Sequence, residues 1–376
     1  SSISLVPVLS NRVSVIRVDQ SNHKRVIALY VTALTLFSNV SQASPTGGEV
    51  VSGAGSITQS AATTTVTQAT QNLSVNWKSF NVAPQEVVNF VQPSTSSIVV
   101  NRILDTSGSQ ILGNINANGQ VYLINPNGIL FGQGSQVNVR GLVASALDFN
   151  DAHINDNAKV FSGNGTGTII NQGNLTVANG GYVALLGKTV SNQGGIKASQ
   201  GSVMLGAGNN VTLSFENNNL LKMQVNQSLL DTLAENGGLI QTAGGQVIMN
   251  AGAKNTLQAS VVNNTGVIEA HTLDSQTGKI ILLSGMELGT TDVSGTLDAS
   301  APDGGNGGFI ETSAAHVKII DGVKVSTVSE EGNNGTWLID PADFNIGSAA
   351  DGAVSNISGA TLSSNLGSTD VVILSS

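Results

Sequence analysis

Apolar and small polar residues alternate in short runs along this chain, and after residue 160 the runs recur at a near-constant interval. INQGNLTVANG at 170–180 leads into GYVALLG at 181–187, and SNQGGIKASQG at 191–201 leads into SVMLG at 202–206. Asn171 and Asn192 are 21 residues apart, and Val183 and Val203 are 20 apart. The pattern returns at GLIQTAGGQVIM (238–249), at NTGVIEA (264–270) with GKIILL (278–283), and at SGTLDA (294–299) with GGFIET (307–312). A period near 20 residues belongs to solenoids. Leucine-rich repeats share that length, but the chain lacks their L-x-x-L-x-L pattern and their helical segments. Short β-branched strands with Gly and Asn corners predict an all-β fold, a right-handed parallel β-helix whose coils bury one another's inner faces.

Two regions depart from the repeat. Between residues 216 and 237, Asn217, Asn218 and Asn219 read as a turn and residues 220–225 as a strand. Residues 228–235 read as a short helix, capped by Ser228 and ended by Gly237. Such a stretch is expected outside the coil, as a small extra-helical excursion. Between Ser44 and about residue 110 the repeat is absent. There Trp77, Phe80, Phe90 and Leu104 predict an N-terminal β-cap that plugs the open end of the helix. An unplugged end would offer free backbone groups to other chains.

The sharpest local signal is VYLINPNGILFG at 121–132. Two apolar runs flank Asn125-Pro126-Asn127-Gly128. The first Asn can bond the backbone two residues on, and Pro126 presets φ for the second position. Asn127 tolerates the third position and Gly128 leaves the turn. The reading is strand, type I turn, strand.

Composition sharpens the picture. Charged residues are 10% of the chain, against roughly 25% in ordinary globular domains. Aromatics are 4% and there are 44 glycines, so Asn, Gln, Ser and Thr make the polar surface. Stacked strands accommodate this mixture, because uncharged amides form ladders without like-charge repulsion. Hydrophobic content of 40% suffices for a core and excludes a disordered chain. A net charge of −9 excludes nucleic acid as a partner, since that needs a basic face. The absence of cysteine fits a chain that crosses a pore unfolded.

The N-terminal segment reads as a targeting signal. Arg12, Arg17, His23, Lys24 and Arg25 form a basic region before the apolar run VIALYVTALTLF at 26–37. A helix of that length rises about 18 Å, short of the roughly 30 Å hydrocarbon core. Ser41 and Ala43 place small residues where a signal peptidase reads, so Ser44 is the expected mature start. Residue 1 is Ser rather than Met, and the signal is expected to begin upstream of it.

Several motifs recur in one order: NWKSFN at 76–81, NGQVYL at 118–123, NPNGI at 125–129, NVRG at 138–141 and GTWLIDPADFNI at 335–346. Together, behind a signal segment, they resemble the secretion domain of two-partner secretion exoproteins. Those are the filamentous haemagglutinin and high-molecular-weight adhesin relatives of Gram-negative bacteria. The resemblance covers roughly residues 44–346. It implies an extended signal peptide at 1–43, a β-helical two-partner secretion domain at 44–346, and the start of a downstream exoprotein region at 347–376.

The same resemblance implies partners. The Sec export machinery and signal peptidase would deliver the chain to the periplasm. The POTRA domains of an outer-membrane β-barrel transporter would then engage it, and it would thread through the barrel and fold outside. Downstream regions would meet a host-cell or neighbouring-cell surface. Asn125, Pro126, Asn127, Gly128, Asn138 and Gly141 carry over as secretion-motif positions. Each residue type is also explained by turn chemistry alone, so a structural role and a recognition role both stay open; a stability effect is expected to dominate at Asn127.

Enzymatic readings find little. The histidines at 23, 153, 271 and 316 are far apart and no H-E-x-x-H occurs. Gly187-Lys188-Thr189 imitates a P-loop end, but Tyr182 stands where its first Gly belongs. Gly163, Gly165 and Gly167 read as a loop. Asp303 with the glycines after it lacks the Asp that completes a calcium repeat. Asp148, Asp151 and Asp156 read as a solvated loop. No catalytic residue, metal or cofactor is expected. The alternatives are the front of a contact-dependent toxin or of a haem-acquisition exoprotein, and further off a β-helix carbohydrate-active enzyme. That enzyme would need clustered carboxylates, whereas 24 acidic and 15 basic residues are thinly spread.

Cleavage is predicted after Ala43, and N-terminal sequencing of exported protein checks it. A mature chain still carrying residues 26–37 would make that run an anchor.

Overall fold

The computed structural model describes residues 44–227, 231–252, 260–348 and 356–375. The basic and apolar signal segment and the proposed cleavage site's first residues lie outside the described residues.

Each coil of the chain visits three faces. Face A stacks the strands Ser109–Ile111, Ile129–Phe131, Thr168–Asn171, Thr189–Asn192, Thr232–Asn236, Ser260–Asn264, Thr290–Val293 and His316–Ile319. Face B runs from Thr63–Gln68 and Val87–Val91 through Gly195–Lys197 to Lys324–Ser326. Face C runs from Asn72–Trp77 and Ile98–Ile103 through Ser202–Ala207 to Thr336–Pro341 and Asp370–Ile373. The long strands Gln136–Ser145 and Asn174–Gly187 serve faces B and C in turn, bending at a bulge between Val139 and Gly141. All stacking along these faces is parallel, which makes the architecture a parallel β-helix. The 20- and 21-residue spacings read from the sequence are register pairs: Asn171 faces Asn192 and Val183 faces Val203.

Inward positions alternate along each strand and merge into one core. Val121, Leu142, Val183, Val203, Val247 and Ile280 form one such column on face C, all without solvent exposure. Burying each side chain contributes about 1.5–3 kcal/mol, but only once the neighbouring coil is in place.

The first coils correct the sequence reading in part. Residues 63–103 already stack as parallel coils, because Thr63–Gln68 pairs with Val87–Val91 and Asn72–Trp77 with Ile98–Ile103. Only Glu49–Ser52 and Gly55–Gln59 pair antiparallel and form the cap. The period was hidden because loops of different length separate these early strands. Trp77, Phe80 and Phe90 are buried, with Trp77 edge-on to Phe80 at 5.4 Å and its Nε1 donating to Asn101 Oδ1 at 2.9 Å. Leu104 is 64% exposed and belongs to no plug.

The excursion is also larger than expected. Asp148–Phe149, Ala158–Ser162, Asn210–Glu216 and Asn219–Gln227 form a four-stranded antiparallel sheet over the outer side of face C. A second apolar cluster fills the gap, with Tyr122, Tyr182 and Met204 from the coil meeting Phe149, Phe161 and Phe215 from the sheet. Face C strands beneath it are therefore buried on both sides, which is why VYLI and YVALL read as continuous apolar runs. The helix expected at 228–235 is contradicted over its described part, residues 232–235. Residues 228–230 lie outside the described residues, and Thr232–Asn236 is a face A strand paired with Thr189–Asn192 and Ser260–Asn264. Thr232, Ala234 and Asn236 point inward at period two, and the ladder overrides local helix preference.

Asp148 and Asp151 do not form a free solvated loop. They clamp Arg102 at 3.0 and 2.7 Å, and Ser74 Oγ donates to Asp151 at 2.6 Å. Burial works against the Asp151 charge, but the bonds from Arg102 and Ser74 hold its carboxyl below the ordinary value. The loop carrying these residues is thereby tied to the first two coils. Asp156 pairs with His153 at 2.7 Å. The coil continues past residue 346: Ile346–Gly347 pairs with Ile357–Ser358, and a short helix Gly359–Asn365, capped by Ser358, precedes Asp370–Ile373.

One inward column is polar. Asn171, Asn192, Asn236 and Asn264 are fully buried or nearly so and stack in register. Each Nδ2 donates to the next Oδ1, at 2.8, 2.7 and 2.8 Å. Phe131 and Val293 close the column at its two ends. Two residues on, Gly173, Gly194, Gly238, Gly266 and Gly295 turn the corner. A Cβ on Gly194, Gly238 or Gly266 would sit 2.2 Å from the carbonyl oxygen of the glycine one coil below.

Asn192→Ala removes both ladder contacts of that residue, taking the donor from Asn236 Oδ1 and leaving Asn171 Nδ2 only its 3.3 Å bond to Gly195 O. It is predicted to cost about 1–3 kcal/mol, read as a lowered midpoint in urea unfolding monitored by circular dichroism.

Candidate functional site

The NPNG turn sits where face C hands over to face A. Asn125 extends the Gln120–Ile124 strand, donating from its backbone N–H to Ser145 O at 2.9 Å. Gly128 N then donates to Asn125 O at 2.9 Å, which closes the turn. Asn125 Oδ1 accepts from Asn127 N at 2.9 Å, the side-chain-to-backbone bond expected two residues on. Asn125 has no solvent exposure, and its Nδ2 donates to Ser107 O at 3.1 Å and Ser109 Oγ at 3.0 Å. Pro126 and Asn127 are exposed.

The turn is one layer of a stack. Below it lies the 105–109 segment, where Asp105 O accepts from Asn127 Nδ2 at 2.8 Å and Ser109 N donates to Gly128 O at 3.0 Å. Above it lies the glycine cluster noted in the sequence. Gly167 N donates to Pro126 O at 3.1 Å, and a Cβ on Gly167 would meet Gly128 N at 2.1 Å. The cluster is thus a loop, as read, and its glycines give the turn room. Gly128 itself has φ +102°, a conformation that favours glycine. Sequence reasoning missed Asp105, Ser107 and Ser109, because nothing local marks a partner one coil away.

Asn138 and Gly141 lie at a different corner, where face B turns into face C. Asn138 is exposed, and its Nδ2 reaches Asn116 Oδ1 at 3.4 Å. Gly141 is buried between Gln120 and Tyr182 in register. A Cβ on Gly141 would lie 2.7 Å from the Tyr182 ring. The missing side chain lets Tyr182 reach past it and donate to Gln120 Oε1 at 2.5 Å. Tyr122 and Tyr182 hydroxyls also touch at 3.2 Å, and burial pushes both phenols well above their ordinary value. The structure therefore does not gather the six motif residues into one pocket. It places four in the turn from face C to face A and two where face B runs into face C.

Comparison with known proteins supplies the class. Residues 41–299 match the TPS secretion domain family model. The chain belongs to the TPS secretion domain family. It is similar to a heme/hemopexin-binding protein of Haemophilus influenzae (strain Rd), 32% identical over 274 residues, covering 68% of this chain and 29% of that protein. A second Haemophilus influenzae heme/hemopexin-binding protein is 29% identical over 242 residues, covering 58% of this chain and 26% of its own length. The match thus spans less than a third of either relative. Among solved structures, the HMW1 secretion domain from Haemophilus influenzae superposes with TM-score 0.65 at 25% identity, covering 80% of this chain and 88% of that one. A TPS secretion domain marks a secreted exoprotein with a cognate outer-membrane transporter.

Asn125 is the buried, multiply bonded residue of the turn, whereas Asn127 is exposed and donates its side-chain amide to Asp105 O at 2.8 Å. Asn125→Ala is predicted to cost about 1–3 kcal/mol and Asn127→Ala at most about 1 kcal/mol. Equilibrium unfolding of the two variants side by side checks the order.

Proposed function

We propose that this TPS domain is the front of a large adhesin-type exoprotein and that the POTRA domains of its transporter recognise it in the periplasm. The Sec machinery delivers it there after signal-peptide removal, and the domain then nucleates β-helix folding outside the cell. The observation that carries the reading is the family match over most of the domain. The capped first coils fit the nucleating role, because every later coil needs a folded neighbour to bury its inner face. The role is a non-enzymatic one.

Within this reading, Asn125 and Gly128 build the turn, while exposed Pro126, Asn127 and Asn138 are free to meet the transporter. Gly141 shapes the B–C corner. Residues 1–43 act as signal peptide, 44–346 as the secretion domain and 347–376 as the start of the downstream region. A second reading, that the exoprotein serves haem acquisition, is favoured by the names of the two sequence relatives. The two readings share the export step.

Export tests it. With the cognate transporter co-expressed, the wild-type chain should reach the medium, and Asn127→Ala and Asn138→Ala should accumulate in the periplasm while unfolding near the wild-type midpoint. Normal export of both variants would remove these residues from the recognition surface.

A further inference from the structure

Face B presents an unusual outer surface over its first coils. Thr65, Asn89, Asn116, Asn138, Thr176 and Lys197 stand in register, one per coil. At about 4.8 Å per step this column runs roughly 24 Å. Asn138 donates to Asn116, and Asn116 Nδ2 donates to Asn89 Oδ1 at 3.2 Å. The face B segments 63–68, 87–91, 114–117, 136–140, 174–177 and 195–197 contain no acidic residue, and their only charges are Arg140 and Lys197. Acidic residues enter this face only later, with Glu269 and Asp298. In a chain of net charge −9 this is a positive face against the prevailing sign.

Arg140 is the irregular member. It sits at the bulge that ends the face B part of Gln136–Ser145. It is half-buried, and its Nη1 is inaccessible to solvent and has no hydrogen-bond partner among the described residues. No carboxylate of the described residues pairs with it; the ion pairs there belong to Arg102, His153 and His271. Arg102, the other arginine described, shows the ordinary solution, with two carboxylates and the Phe149 carbonyl as acceptors. A partly desolvated guanidinium without a counter-charge is costly, and the cost is relieved when a carboxylate arrives. The adjacent Gly180, at φ +71°, has no side chain; a Cβ there would be in ordinary contact with Arg140 Nη2 at 3.6 Å, Asn219 Oδ1 at 3.8 Å and Gln200 O at 3.9 Å.

Building on the secretion reading above, we propose that Arg140, flanked by Asn138 and Lys197, is the docking point for a carboxylate-bearing segment of the transporter's periplasmic region. Arg140 turns its guanidinium outward from the corner to receive the carboxylate, which gives the buried Nη1 an acceptor, and Asn138 supplies an amide beside it. Lys197 adds attraction from further along the same face. This gives exposed Asn138 a recognition role that its weak contact to Asn116 does not explain.

The test uses the purified mature chain and the purified periplasmic domains of its transporter, with affinity measured by calorimetry at low and high NaCl. The wild type should bind, and added salt should weaken it. Arg140→Gln should bind at least about tenfold more weakly and lose most of the salt dependence. Arg140→Lys should fall between, because an ammonium keeps the charge and loses the fork. Lys324→Gln, which changes net charge equally at the far end of face B, should bind as wild type. Thermal unfolding of Arg140→Gln should match or exceed that of the wild type, whereas a structural arginine would lower it. If the wild type binds and Arg140→Gln binds equally well, or if Lys324→Gln is equally impaired, the docking point is wrong while the secretion reading stands. If the wild type itself does not bind, recognition by the periplasmic domains fails and the docking point fails with it.

Discussion

Parallel in-register stacking is the constraint on which everything else here depends. Once coils stack without offset, each inward position becomes a column along the axis, and each column must be filled by side chains that tolerate copies of themselves. Valine, isoleucine and leucine do so through packing, as along Val121, Leu142 and Val183. Asparagine does so through its own amide, which donates upward and accepts from below. Glycine does so where the corner brings successive backbones too close for a Cβ. A carboxylate column would repel itself, which accounts for a chain with 10% charged residues.

The same constraint governs how much was legible in the sequence. From residue 168 onward the columns show directly as spacing, and Asn171 with Asn192 could be paired by counting. The early coils carry the same columns, but their connecting loops differ in length, so counting fails although Leu73 and Val99 stand in register. The expected helix misled because the local composition suits one, while over residues 232–235 the neighbouring strands determine the conformation. Leu104 misled because bulk alone does not tell inside from outside. The outer sheet was half visible: residues 220–225 read as a strand and pair with 210–216, but the strand at 158–162 that pairs with 210–216 on its other side comes from an earlier loop. Antiparallel pairing across such a gap leaves no period to detect.

At the motif, sequence chemistry described the turn well and its surroundings poorly. The Asn125 side-chain bond and the Gly128 conformation follow from turn rules. The layers below and above, at 105–109 and 165–167, do not, because they depend on which loops the coil brings together. The two halves of the motif therefore act at different corners. Asn125, Gly128 and Gly141 shape the coil, and Asn127 and Asn138 face outward. This division accounts for residue types that satisfy turn chemistry and still leave polar groups for a partner.

The account rests on the claim that register-matched columns, the asparagine ladder above all, lock successive coils together. Hydrogen exchange of the side-chain amides of Asn171, Asn192 and Asn236, followed by NMR on asparagine-labelled protein, measures this directly. The account predicts that these Nδ2 protons exchange as slowly as the core backbone amides of Thr189–Asn192, because coil separation is needed to expose them. Rapid exchange of the side-chain amides beside protected backbone amides would contradict it.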